Sequence, residues 1–177
     1  MKPRSKINIL FLTLYIGLTA SAQNLSDLVI EESDYKTSIG LRAGETSGLT
    51  FKHFFTGQDA IDVIAGAWHH GFSLTAMYER SANAFGVAGL IWYYGGGGHA
   101  SLATTQGYYY HRDGNRRAEF YRQGSVGLGV DGVFGMEYKI PMAPIAVSLD
   151  VKPYIEFVTT GGIWTSLDPG LGVKITL

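Results

Sequence analysis

From residue 37 to residue 177 the chain alternates. Apolar side chains or glycines take every second position for stretch after stretch, and small polar or charged residues fill the places between them. A period of two belongs to a strand with one apolar and one polar face, and no long stretch after residue 37 keeps the 3.6-residue apolar period of a helix. The clearest run covers 126–138. Val126, Leu128, Val130, Gly132, Phe134, Met136 and Tyr138 share one face, and Gly127, Gly129, Asp131, Val133, Gly135 and Glu137 share the other, with Lys139 next on that side. Residues 145–157 repeat the pattern, with Ile145, Val147, Leu149, Val151, Pro153, Ile155 and Phe157 opposite Ala146, Ser148, Asp150, Lys152, Tyr154 and Glu156.

The same alternation marks 39–44, 49–55, 72–79, 90–102 and 171–177, and more weakly 60–68, where Ile64 and Trp68 share the parity of Asp62. That makes eight strands of about 9–13 residues, enough to cross an apolar layer of about 25 Å when tilted. The expected fold is all-β: an eight-stranded antiparallel up-and-down transmembrane β-barrel, closed so that no edge is left unpaired in lipid. One face carries the charges Arg42, Lys52, Asp62, Glu79, Asp131, Glu137, Lys139, Asp150, Lys152, Glu156 and Lys174. Inside a barrel these must pair with one another, because an unpaired buried charge costs several kcal/mol. Glycines on that face leave room for the long side chains. Alternation alone does not say which face points in. A soluble secreted barrel of lipocalin type, apolar inside and charged outside, is the mirror reading.

Composition narrows the class. Charged residues are 16% of the 177, glycine occurs 24 times and apolar residues reach 46%, so the chain is neither an ordinary cytosolic globule nor disordered. There is no cysteine, which excludes disulfides, thiolate chemistry and a cysteine-linked lipid anchor. Lys2, Arg4 and Lys6 precede an apolar run at 7–20 and the small-residue site Ala20-Ser21-Ala22. Residues 1–22 therefore read as a cleaved signal peptide rather than an anchor helix. Residues 23–36 form an acidic lead on the near side of the membrane, and 37–177 form the barrel domain. Without Lys2, Arg4 and Lys6 the 14 basic residues fall to 11 against 15 acidic ones, a net charge of −4 that disfavours nucleic acid.

An even strand count puts both ends of the barrel on one side. The connections 45–47, 68–71, 103–124 and 158–168 then lie on the opposite side, and 56–59, 81–89 and 140–144 on the side of the ends. The longest connections thus fall together, as in outer-membrane barrels.

Ile39-Gly40-Leu41-Arg42-Ala43-Gly44, Ser47-Gly48-Leu49-Thr50-Phe51-Lys52, Gly71-Phe72-Ser73-Leu74-Thr75, Trp92-Tyr93-Tyr94-Gly95-Gly96-Gly97, the stretch from Val130 to Lys139 and Leu149-Asp150-Val151-Lys152-Pro153 carry a resemblance. Across most of 37–177 the chain resembles the small eight-stranded outer-membrane barrels, a family common in Bacteroidota with OmpA/OmpX-type architecture. The resemblance implies a bacterial outer-membrane location after export through the periplasm. It also implies contact with outer-membrane lipid, including lipopolysaccharide, and handling by the outer-membrane assembly machinery. It implies no settled activity. Such barrels often end in Phe or Trp, whereas this chain ends in Leu177.

Several motifs carry chemistry on paper. His99-Ala100-Ser101 has the H-x-S spacing of lipid A deacylase barrels, and period two puts both side chains on one face. That face is the polar, inward one, and no acid lies nearby in sequence to orient the imidazole, so no catalytic residue is expected. His69-His70 sits in a short turn where adjacent side chains diverge, which does not favour a metal site. The glycines at 95–98 have no following helix to make a phosphate cradle and read as a bend or close packing within a strand. Residues 107–124 hold Tyr108, Tyr109, Tyr110, Phe120 and Tyr121 among Arg112, Arg116, Arg117 and Arg122. Those four arginines are a candidate surface anion-binding set, since guanidinium binds phosphate through paired hydrogen bonds. The plain alternative is an extended strand pair with an aromatic girdle. No cofactor is expected. The functional expectation is a non-enzymatic barrel with a structural or surface-interaction role, its outer loops contacting lipopolysaccharide or a partner. The alternatives are an acyl-modifying enzyme using His99 and Ser101, and the lipocalin-like binder.

Overall fold

The structure, a computed structural model, describes residues 35–110, 116–160 and 162–177, with the backbone alone described for 107–110 and 116–121. The expected signal at 1–22, most of the lead at 23–36 and Arg112 lie outside the described residues. Ten strands occur and no helix is found among the described residues. Eight close into an antiparallel barrel: β1 (Thr37–Gly44), β2 (Ser47–Phe54), β3 (Asp59–Trp68), β4 (Gly71–Asn83), β5 (Leu90–Ala103), β8 (Val126–Lys139), β9 (Ile145–Val158) and β10 (Gly162–Thr176). The other two, β6 (Gly107–Tyr110) and β7 (Arg116–Tyr121), form a separate hairpin between β5 and β8. The ring closes where β1 meets β10, from Ser38 opposite Thr176 to Gly44 opposite Gly170.

The alternation decides which way each wall faces. On β8 and β9 the apolar members point out, with Val130 and Leu149 each 65% exposed. Their charged neighbours point in, with Glu137 1% and Lys152 3% exposed. The barrel is thus apolar outside and charged inside, the opposite of the lipocalin arrangement. An eight-stranded ring is just wide enough for side chains to fill it. Glycine on the inner face supplies part of that room. A Cβ on Gly129 would stand 2.2 Å from the His99 ring, and one on Gly170 would stand 2.3 Å from the Arg42 guanidinium. Residues 95–98 lie within β5, where a Cβ on Gly95 or Gly97 would come within 2.0 Å of a carbonyl oxygen of β4, so close strand approach explains the run.

Three details depart from the sequence reading, and a fourth, the β6–β7 hairpin, is the strand pair it held as the plain alternative for that segment. The connection placed at 158–168 is shorter, because β10 begins at Gly162 and carries Asp168 into the wall. The connection at 81–89 gives up its first residues to β4, which runs to Asn83. The 103–124 connection contains the β6–β7 hairpin, closed at its base by the Ala103 amide donating to the Ser125 carbonyl (2.9 Å). The lead is not wholly outside the barrel, because Tyr35 is 8% exposed and packs edge-on against Phe54 at 5.3 Å. The rim is also uneven: β1 and β2 have 8 residues each, whereas β9 has 14 and β10 has 15.

Candidate functional site

The interior charges gather at two levels, separated by a small apolar layer of Ile64, Met77, Tyr93 and Val133. Ile64 therefore points inward with Asp62, as their shared parity requires. The lower level lies toward the chain ends. Lys52 meets Glu79 at 2.8 Å and Glu137 at 3.9 Å, and Lys174 meets Asp62 at 3.3 Å and Glu137 at 3.2 Å. Thr50 donates to Asp62 at 2.6 Å, and the Lys52 ammonium lies 4.3 Å from the Tyr93 ring centroid. Tyr35 donates its hydroxyl to Glu137. Burial first, and then the Glu137 charge, push the Tyr35 phenol well above its ordinary pKa, so it remains a donor.

The upper level lies toward the far mouth. Arg42 binds Asp150 at 2.6 Å and Asp168 at 3.0 Å, and Lys152 lies 3.5 Å from Asp131 and 3.6 Å from Asp168. Asp168, wholly buried, also accepts the backbone amides of Glu45 (2.8 Å) and Thr46 (3.4 Å), which draws the β1–β2 turn down over the opening. His99 Nδ1 donates to Asp131 at 2.7 Å, and its Nε2 lies 3.5 Å from Glu156. Ser101 donates to Glu156.

The register explains this grouping. His99 on β5 pairs with Gly129 on β8, and Gly129 pairs with Glu156 on β9. With no side chain at the middle position, the imidazole reaches across one strand to the carboxylate. The expectation that His99 lacks an orienting acid is thereby corrected: Asp131 and Glu156 both flank it, brought there by strand pairing rather than by sequence proximity.

Lys139 stands apart from the other interior charges. Its ammonium donates to the carbonyls of Ala143 (2.7 Å) and Ile140 (3.3 Å) and fastens a turn on the side of the chain ends. Tyr35, Thr50 and Asp168 belong to the interior network but were not among the sequence candidates. Of the four hairpin arginines, Arg122 is exposed at the foot of the hairpin and Arg116 and Arg117 lie on β7, opposite Tyr110 and Tyr109. At the far turn, burial and then the neighbouring His69 lower the His70 pKa. Among the described residues no group of three or more His, Cys, Asp or Glu is placed to hold a metal ion.

A cavity of about 20 Å³ sits above the His99 row, bordered by Ser73, Thr75, Ser101, Lys152 and Glu156, with Glu45, Trp68 and Tyr154 at its edge. A second, of about 10 Å³, lies lower, beside Tyr93 and Asp150. Each has room for little more than a water molecule. No family model, curated protein or solved structure matches the chain.

Proposed function

We propose that the chain is a bacterial outer-membrane barrel that works at the cell surface without catalysing a reaction. It stands as a sealed ring in the membrane, with its far mouth and β6–β7 hairpin offered to lipopolysaccharide or an extracellular partner. One observation carries the reading: exposed apolar side chains girdle the walls around a paired, charged interior. Water would oppose that arrangement and lipid would favour it. The hairpin side would face the exterior, since outer-membrane barrels keep long connections outside and short turns in the periplasm. The test is folding itself. Refolded protein should need detergent or lipid vesicles and should become protease-resistant in them. A folded, monodisperse protein in plain buffer would overturn the reading.

A second reading, the acyl-modifying enzyme, draws support from the acids beside His99. Against it, the Ser101 hydroxyl is given to Glu156 rather than to the imidazole, and both side chains face the interior rather than acyl chains. Acyl release from lipid A by the purified protein, abolished in Ser101→Ala, would favour this reading over the first.

A further inference from the structure

Ser73 and Thr75 of β4 border the far cavity, and their buried hydroxyls meet no protein partner, Thr75 being 0% exposed. A buried hydroxyl without a partner is costly, so a site that keeps one calls for a reason. The neighbouring groups are already engaged. Thr75 pairs in register with His99 and Ser73 with Ser101, and those two side chains are held by Asp131 and Glu156. Lys152 is shared between Asp131 and Asp168. At the edge, Tyr154 lies edge-on to the His99 ring at 5.5 Å and its hydroxyl donates to the exposed Glu45 at 3.4 Å.

We propose that this cavity binds one neutral polyhydroxylated ring, a sugar residue whose adjacent hydroxyls enter between β4 and β9. The inference rests on the surface-interaction reading and names the class of ligand that the mouth takes. Each free hydroxyl both donates and accepts, which matches a ligand hydroxyl that does the same. Glu156 adds an acceptor and Lys152 adds donors, so a neutral ligand finds partners of both kinds. Lys152 and the carboxylates of Glu45 and Glu156 give the lining charges of both signs, so a net charge on the ligand meets repulsion as well as attraction. Tyr154 and Trp68 offer ring surfaces to the C–H faces of a sugar. The cavity is too small for a whole ring, so the sugar would rest on the rim with only its hydroxyls inserted.

The test uses protein folded in a sugar-free zwitterionic detergent, with ligand-observed NMR titrations of glucose, glucosamine and glucuronate. Glucose should bind saturably, with Kd on the order of millimolar, and more tightly than either charged analogue. The double variant Ser73→Ala, Thr75→Val should bind at least tenfold more weakly while keeping its fold, because it removes hydroxyls that hold nothing else in place. A glucosyl lipid with the same neutral headgroup, run alongside in the same micelles, distinguishes the sources. Tighter binding than glucose identifies a lipid-linked glycan, and equal binding a free sugar; either result supports the site. No saturable binding of a neutral sugar, preference for a charged analogue, or unchanged affinity in the double variant would overturn it. Vesicle insertion is measured on the same preparation. Lost binding with intact insertion rejects this inference alone, whereas failed insertion rejects the membrane reading.

Discussion

Tyr35 joins the chain before β1 to the buried network, donating a hydrogen bond to Glu137. Replacing it by Phe keeps the packing on Phe54 and removes only the donor. The expected loss is about 1.5–3 kcal/mol, the range for hydrogen bonds to charged groups, read from urea unfolding in vesicles. The bond also has a pH signature. The folded phenol holds its proton above its ordinary pKa of 10.0. Its stabilising contribution is complete below pH 10 and declines as the pH rises further and the unfolded chain ionises. Tyr35→Phe should flatten that alkaline loss, and an identical alkaline slope in both proteins would contradict the role. Single residues were also where the sequence was hardest to read. Charges on an alternating strand announce their face, so Lys52, Glu137 and Lys174 were visible as interior candidates. Their partners were not, because pairing across a sheet depends on register. Asp131 is 32 positions from His99 in the chain but 2.7 Å away in space. Tyr35 gave no signal, lying in a short acidic segment with no period.

At the scale of the strand, β8 makes the sharpest claim, because one slip of register would exchange its faces. Arg at Val130 would set a charge on the apolar exterior. In the membrane reading it should cost about 2–4 kcal/mol near the bilayer midplane, and a cost below about 0.5 kcal/mol in vesicle unfolding would place Val130 away from lipid. The β6–β7 hairpin makes a different claim. Leu102 already pairs with Val126 beneath it, so the barrel closes without it. Changing Arg112, Arg116, Arg117 and Arg122 together to Gln should leave refolding unchanged. It should also reduce lipopolysaccharide co-purification and its dependence on salt. Retained lipid in that variant would leave the hairpin without an anion-binding part. The strands were legible because a period of two survives in almost every wall, even at Asp62 and Ile64, where both kinds of residue share the inner face. The start of β10 was not. Ser166, Asp168 and Pro169 look like a turn in sequence, yet Leu167 stands opposite Pro153 and Asp168 opposite Lys152 in the wall.

For the whole molecule, eight strands and a crowded interior set a limit on transport. The described cavities of about 20 and 10 Å³ share no lining residue, and Ile64, Met77, Tyr93 and Val133 narrow the level between the two charge clusters to the smaller of them. Planar-bilayer recordings should show no stable openings of porin size, and persistent ones would mean that the interior rearranges on insertion. Closure into a ring was foreseeable, since an even set of alternating strands has few other ways to hide its edges. The shape of the ring was not, because it follows from unequal strand lengths. Between β1 and β10 pairing stops at Gly44 and Gly170, while β10 climbs on for another run of residues toward Gly162. The rim therefore drops to a low sill at Glu45 and Thr46, pinned there by Asp168. That sill borders the same cavity as Thr75 and His99. A doorway cut into one side of a wall admits visitors sliding along the ground as readily as those descending from above. In the membrane reading, a head group tethered to the bilayer would search for that doorway in two dimensions rather than three.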